Sequence, residues 1–373
     1  VLDVGLVLFL PGPGSYTGED CAEFQVHGGL AVVRAVCARL SQAGARPAEA
    51  GEFTRRAFLN GRMDLLEAEG VADLIAAETE AQRRHALDLV DGRQSAMVAG
   101  WAETLRHALA WQEALIDFPD EDLPETVEAD MLAGLQGLAI SLQAGIADGH
   151  RGARVREGVR MVVTGPPNAG KSTLVNALAK RDVAITAASP GTTRDALEVW
   201  IEIAGHRVCL IDTAGLRDTD DAVEAEGVRR ARAHAARADV VIRVEEAGSA
   251  EARRGDQDAI VAVANKVDLA PAPFGWLGIS ATTGLGMDAL GARLQAEVLR
   301  LTDGGPHPAL SHVRHEAALR EALQFIEQAI DSTMPELRGE ALRLAMRALG
   351  RISGAIGVED ILDTVFGSFC IGK

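Results

Sequence analysis

The stretch Gly165-Pro166-Pro167-Asn168-Ala169-Gly170-Lys171-Ser172 decides the fold of this chain. It follows an apolar, strand-like run, Val159 to Thr164, and opens a helical pattern carried by Leu174, Val175, Ala177 and Leu178. A G-x-x-x-x-G-K-S string between strand and helix is a phosphate loop. Its glycines let backbone N–H groups curl around phosphate oxygens at a helix N-terminus, where the dipole favours negative charge. Lys171 is placed to reach the β- and γ-phosphates and the Ser172 hydroxyl to ligate Mg²⁺, with Asn168, Ala169, Gly170 and Thr173 completing the contacts. The stretch predicts a nucleoside triphosphate site.

Working outward from the loop, three further strings name the nucleotide. Asp212-Thr213-Ala214-Gly215 follows the apolar run Val208 to Ile211. An acid at that strand end serves the Mg²⁺ shell, and the glycine N–H meets the γ-phosphate. Asn265-Lys266-Val267-Asp268 follows Ile260 to Ala264. Asp268 can accept two N–H bonds from guanine N1 and N2 that adenine cannot supply, so ATP should be rejected. Ser280-Ala281, after Leu277 to Ile279, completes the base pocket. Four motifs in this order point to a guanine-nucleotide hydrolase.

Gly191-Thr192-Thr193-Arg194-Asp195, lying between the loop and Asp212, reads as a first switch. Thr193 is its candidate Mg²⁺ ligand and reporter of the γ-phosphate. After Asp-Thr-Ala-Gly, Ras-type enzymes carry a glutamine that orients the attacking water. Leu216 stands there and cannot hydrogen-bond. The run Arg217 to Glu226 offers Glu224 as base or water-orienter, and Asn168 offers a side-chain carbonyl beside the phosphates, where a monovalent cation can replace an arginine finger.

The flanks are helical. Residues 159 to about 303 alternate strand and helix as a doubly wound α/β domain. From about Met63 to Phe118 the pattern is helical, with Val90, Gln94, Met97, Trp101, Thr104, Ala108, Trp111 and Leu115 spaced to form one bundle-facing stripe. Both tryptophans are expected in the core. A second helix is expected from Ala129 to Ala147, and Gly149 to Gly158, with three arginines and a histidine, reads as a linker. After the α/β domain come an amphipathic helix with Leu319, Leu323, Ile326 and Ile330 and another with Leu342, Ala345, Leu349, Ile352 and Ile356. These are expected to pack on the helices of 63–147. His307, His312 and His315 hint at a metal, but an exposed linker is the simpler expectation. Residues 1–60 mix short strands with a helix from Leu30 to Leu40.

Composition limits the alternatives. The chain has 373 residues, too many for one ordinary core, is 47% hydrophobic and 4% aromatic, and carries a formal charge of −17. Residues 61–157 hold 8 Lys+Arg against 19 Asp+Glu. Such a chain is a poor nonspecific nucleic-acid binder, so any RNA contact must be a local patch or come from a partner. Cys21, Cys37, Cys209 and Cys370 form no C-x-x-C pair and fit a reduced, cytosolic setting. No apolar run approaches the ~18 residues that span a bilayer. The chain begins without methionine inside an apolar run, Val4 to Leu10, and reads as a fragment lacking its N-terminus. The charged run between Val244 and Ile260 suggests a trimmed helix.

Short strings along nearly the whole chain carry a family resemblance. They are Pro11-Gly12-Pro13, Tyr16-Thr17-Gly18-Glu19-Asp20, Gln25-Val26-His27-Gly28-Gly29, Gly51-Glu52-Phe53-Thr54-Arg55-Arg56-Ala57-Phe58-Leu59-Asn60-Gly61, Ile116-Asp117-Phe118-Pro119-Asp120-Glu121, the Pro-Asn-Ala-Gly-Lys-Ser loop, and the terminal Phe369-Cys370-Ile371-Gly372-Lys373. Together they resemble the tRNA modification GTPase family called MnmE or TrmE, and the nucleotide domain resembles the potassium-stimulated GTPases. The resemblance implies a multidomain fold. An α/β P-loop (Ras-like) G domain, residues 158–303, would be inserted in an all-α helical domain made of 61–157 and 304–373. Residues 1–60 would be a partial α+β N-terminal tetrahydrofolate-binding and dimerisation domain.

It implies a cytoplasmic homodimer working with the flavoprotein MnmG (GidA), whose FAD assists. The pair would add an aminomethyl or carboxymethylaminomethyl group to C5 of the wobble uridine of certain tRNAs, using 5,10-methylene- or 5-formyl-tetrahydrofolate. It implies Glu224 as catalytic glutamate, Ser172 and Thr193 as Mg²⁺ ligands, and Asn168, Ala187, Ser189 and Thr192 at the K⁺-loop positions. Ala187 and Ser189 depart in side chain from members with Thr or Ile, which matters little if backbone carbonyls bind the ion. Glu23, Arg62 and Lys373 fall on folate-contacting positions, Arg62 standing where some members have lysine. Cys370 is a candidate nucleophile or redox centre, or a pocket-lining thiol.

Two other classes share features. A ribosome-assembly GTPase of the K⁺-dependent kind shares Asn168 and Leu216, but would append a basic RNA-binding module that is not visible here. A membrane-acting mechanical GTPase is disfavoured by the acidic helices of 63–147, which anionic lipid would repel.

Overall fold

The computed structural model describes residues 1–117, 126–181, 198–212, 238–248, 261–304, 309–356, 362, 365–367 and 369. Its strands are β1 (Leu6–Leu10), β2 (Cys21–Gln25), β3 (Val159–Thr164), β4 (Glu198–Ile203), β5 (His206–Asp212), β6 (Val240–Glu246), β7 (Val261–Asn265) and β8 (Leu277–Gly278). Its helices are α1 (Leu30–Gln42), α2 (Glu52–Leu59), α3 (Leu65–Ala76), α4 (Glu80–Val90), α5 (Arg93–Asp117), α6 (Thr126–Glu157), α7 (Lys171–Arg181), α8 (Met287–Thr302), α9 (Val313–Asp331) and α10 (Pro335–Ser353). The chain divides into two compact units, one of Val1–Ala76, Ala86–Ala147 and His312–Lys373, the other of Ala77–His85 and Asp148–Ser311.

The second unit is built on a six-stranded sheet in the order β4-β5-β3-β6-β7-β8. Only β4 runs antiparallel to its neighbour. A parallel sheet is covered on both faces, so its strands read as continuous apolar runs rather than alternating ones. The run Val-Cys-Leu-Ile in β5 shows this: Val208 and Leu210 join the cluster of Met161, Val163, Leu174, Leu178 and Leu294. Cys209 and Ile211 point the other way, against Val162, and are no less buried. Full burial of each such side chain contributes about 1.5–3 kcal/mol. The strand ends that carry Thr164, Asp212 and Asn265 are thereby held at one edge of a stiff core.

Among its described residues the first unit's regular structure is helical apart from the antiparallel pair β1–β2. α10 packs on α5: Gln112 donates from Nε2 to Pro335 O at 3.1 Å, and Arg343 pairs with Glu113 at 2.5 Å. Gly145 of α6 lies against the Trp101 ring, where a Cβ would stand 2.9 Å from it. This is the packing expected of the C-terminal helices on 63–147. Phe366 and Phe369 close the unit against Phe58, Leu65 and Ala68, with ring centroids 6.3 Å apart for Phe58–Phe366 and 5.6 Å for Phe366–Phe369.

Three local expectations change. The stripe of α5 that faces the core is Gln94, Val98, Trp101, Leu105, Ala108 and Gln112. A 3.6-residue helix rotates a 3.5-residue pattern off its seam, so Met97 and Thr104 give way to the next residue. Trp111 is 46% exposed and is not core. Residues 149–157 are the last turns of α6, not a linker. Gly149 and Gly152 are contact points there, close against Leu310 O and the Ala309 side chain. The helix ends at Gly158, whose φ of 99° is left-handed. His312 and His315 do not lie in an exposed linker: they cap α9 and enter the buried cluster described below. His307 lies outside the described residues.

Candidate functional site

The loop between β3 and α7 is shaped by backbone limits. Gly165 and Gly170 have φ of 140° and 91°, and a Cβ on either would collide with Val244 O or the Asn265 amide. Only glycine fits at both. Asn168 sits exposed at the loop tip with φ of 60°, a left-handed conformation that asparagine tolerates. Ala169 is buried beneath it. Lys171, the first residue of α7, is 6% exposed. Its ammonium donates to Gly165 O at 3.0 Å and Pro166 O at 2.9 Å, which holds it across the mouth of the loop. Ser172 Oγ donates to Asp212 Oδ2 at 2.5 Å, and Thr173 is exposed on the same turn.

Asn265 ties the nearby loops together. Its Nδ2 donates to Ala169 O at 2.9 Å, while its Oδ1 accepts from Lys266 N at 2.9 Å and Ala281 N at 3.1 Å. One buried amide therefore joins the phosphate loop, its own strand end and the Ser280–Ala281 turn. Ser280 Oγ in turn accepts from Thr283 N at 3.2 Å. Lys266 has φ of 66°, and its ammonium pairs with Glu246 at 2.9 Å. Asp268 projects as an exposed carboxylate on the next turn.

The donor set suits a magnesium nucleotide. N–H groups at the start of α7 and a buried ammonium are donors that suit anionic oxygen, and a hydroxyl with a carboxylate matches the oxygen ligands Mg²⁺ prefers. Thr192, Thr193, Ala187, Ser189, Thr213, Ala214, Gly215, Leu216 and Glu224 lie outside the described residues.

Two family models match the chain: the MnmE helical domain over residues 65–370, and the GTP-binding protein TrmE N-terminus over residues 1–62. Curated relatives named tRNA modification GTPase MnmE align with the whole of it. That of Gluconacetobacter diazotrophicus is 56% identical over 375 residues, covering 86% of the relative. That of Acidiphilium cryptum is 54% identical and covered to 87%, and that of Granulibacter bethesdensis 50% identical and covered to 87%. The chain belongs to the MnmE family of tRNA modification GTPases.

The other positions that the MnmE resemblance singled out lie in the first unit. Glu23 is exposed on β2. Arg62 is exposed after α2, and its side chain lies along Gly18 of the turn that carries Tyr16 and Thr17. That turn is fixed to α2 by Tyr16 Oη–Thr54 Oγ1 at 2.9 Å and by Asn60 Nδ2 donating to Thr17 O at 2.8 Å. Glu23 and Arg62 are not joined by a hydrogen bond or ion pair among the described contacts. Phe369 is seated against Gly51, the residue before α2. Cys370 and Lys373 lie outside the described residues.

The sequence reading missed one polar cluster of this MnmE-family chain. Glu69 on α3 is 3% exposed, and its carboxylate is gripped by Arg314 through Nε at 2.6 Å and Nη2 at 2.7 Å and lies 2.8 Å from His315 Nε2. Arg314 Nη1 also donates to the carbonyls of Arg351 and Ile352, both at 3.0 Å. His312 Nε2 lies 3.1 Å from Asp73 Oδ2. Burial pushes the Glu69 carboxyl up, but His315 and the Arg314 guanidinium outweigh it and hold the group well below the usual range. Burial pushes His315 down to about 4 against the opposing pull of Glu69, so its ring is neutral near pH 7. In the sequence, Glu69 and the pair Arg314–His315 lie 245 positions apart, and no spacing rule connects them.

Proposed function

We propose that this chain hydrolyses GTP and couples that hydrolysis to modification of the wobble uridine of tRNA. Membership of the MnmE family supports the reading, and the single observation that carries it is Asn265, whose amide binds the phosphate loop to the Ser280–Ala281 turn. A guanine held by Asp268 and a triphosphate held by Lys171 then belong to one preassembled site.

In this reading Lys171 exchanges its loop carbonyls for β- and γ-phosphate oxygens. Ser172 and Thr193 would hold Mg²⁺, with Asp212 at the end of β5 serving its shell. Asn168, with Ala187, Ser189 and Thr192, would hold K⁺. These ions supply the positive charge that developing phosphate charge requires. Glu224 orients the attacking water, a task Leu216 cannot perform. Thr213, Ala214 and Gly215 line the γ-phosphate side.

Residues 158–303 act as a G domain inserted between the two parts of a helical domain, 61–157 and 304–373. Residues 1–60 contribute to folate binding and dimerisation through Glu23 and Arg62, with Lys373 from the chain's end. A tetrahydrofolate, 5,10-methylene or 5-formyl, held there would supply the one-carbon unit for C5 of uridine, with the FAD-bearing MnmG as partner in the cytoplasm. Among the described residues no helix is long and apolar enough to cross a membrane.

Mass spectrometry of wobble uridine in tRNA from cells lacking this protein tests the reading. Loss of the C5 aminomethyl-type group is expected, and an unchanged nucleoside profile overturns it.

A further inference from the structure

The hairpin β4–β5 turns on Ala204 and Gly205, with φ of 53° and 79°, two consecutive left-handed residues as a tight two-residue hairpin turn requires. Ala204 bears a Cβ, so the conformation is held at a cost. What holds the tip is the segment Ala77–His85. Ala81 N donates to Gly205 O at 3.2 Å. Glu78 Oε2 stands 3.1 Å from Arg207 Nε as a charge contact, off the line of that N–H. The Arg207 guanidinium lies 3.9 Å over the Trp200 ring. The segment itself is fixed by a reciprocal cap between Thr79 and Gln82, whose Nε2 also donates to Arg156 O at 2.8 Å.

At the other end of β5 stands Asp212, bonded to Ser172. Between the two ends, Val208 to Ile211 are at most 1% exposed, and β5 is paired on both sides, with β4 and with β3. A strand so packed shifts as a unit rather than bending, over about 17 Å from Arg207 to Asp212 at about 3.3 Å per residue. The Ser172 hydroxyl that bonds Asp212 is also the one the GTPase reading assigns to the magnesium nucleotide. Loading the site therefore removes or redirects one of the contacts at the far end of β5, the Ser172–Asp212 hydrogen bond.

We propose that β5 carries the nucleotide state from Asp212 to residues 77–85, with Glu78 and Arg207 as the positioning pair that makes the segment follow the hairpin. This rests on the GTPase reading above. The segment follows α3 and includes the start of α4, so it is one of the places where the chain passes out of the nucleotide unit.

The test is hydrogen exchange on the full chain with GDP–Mg²⁺ and with a non-hydrolysable GTP analogue and Mg²⁺. Peptides covering 77–85 should differ several-fold in exchange between the two states. In Glu78→Gln that difference should collapse while nucleotide affinity stays within about twofold. The swap of Glu78→Arg with Arg207→Glu should restore part of it. Equal exchange of 77–85 in both states, or a difference that survives in Glu78→Gln, overturns the proposal while leaving the GTPase reading intact. A chain that binds neither nucleotide overturns both.

Discussion

Lys171 in the nucleotide unit and Glu69 in the helical unit are buried to nearly the same extent, at 6% and 3% exposed, yet their described hydrogen-bond partners differ in kind. The described hydrogen bonds of the Lys171 ammonium run to loop carbonyls, Gly165 O and Pro166 O, neutral groups that an anion can outcompete. Glu69 is held by a bidentate guanidinium and an imidazole, a charge-matched set that no small ligand would displace. Buried charge with exchangeable partners marks a site, and buried charge with matched partners marks a latch. Here the latch joins α3 to the start of α9 and, through Arg314, to the end of α10.

The largest effect should come from breaking the latch. Glu69→Ala leaves the half-buried Arg314 and the buried His315 without their carboxylate and should cost about 3–5 kcal/mol of stability in a denaturant melt, with GTP affinity unchanged. The matching change at the site, Lys171→Ala, removes charge-assisted hydrogen bonds worth about 1.5–3 kcal/mol each. Affinity for a fluorescent GTP analogue should fall about 10- to 100-fold with little change in melting temperature. If Lys171→Ala unfolds the protein and Glu69→Ala abolishes nucleotide binding, the distinction fails.

A pH series sharpens the comparison further. The His315 imidazole is held at about 4 in the folded state against an ordinary 6.5. Between those values the unfolded chain takes up a proton that the folded chain refuses, so stability falls as pH drops from 6.5 towards about 4. His315→Gln should flatten that part of the melting profile. A parallel slope in wild type and variant would place the acid sensitivity elsewhere. The smallest effect concerns thiols. Cys209 is buried in β5 and pushed up to about 12, whereas Cys37 on α1 is exposed. A thiol reagent at pH 8 should modify Cys37 in the native protein and reach Cys209 only on unfolding.

Local chemistry was legible in the sequence. The phosphate loop, the Asp212 and Asn265 strand ends and the alternation of strand and helix are each set by residues within about twenty positions of one another. The nucleotide motifs also make guanine the expected base. Less legible were features fixed by distant partners. Nothing near Gly149 or Gly152 shows that Leu310 and Ala309 will press on them, so a glycine-bearing helix end read as a linker. Trp111 sits on a stripe whose neighbours are buried, but the helix rotates it outward, and Gln112 takes the inward position by bonding Pro335 O. His312 and His315 became intelligible only beside Glu69 and Asp73, more than 200 positions earlier.

The most direct test of the central claim is a calorimetric titration of the full chain with GTP and with ATP in Mg²⁺ and K⁺. GTP should bind and ATP should show no measurable heat, because Asp268 accepts two hydrogen bonds that only guanine donates. ATP binding as tightly as GTP would contradict the claim.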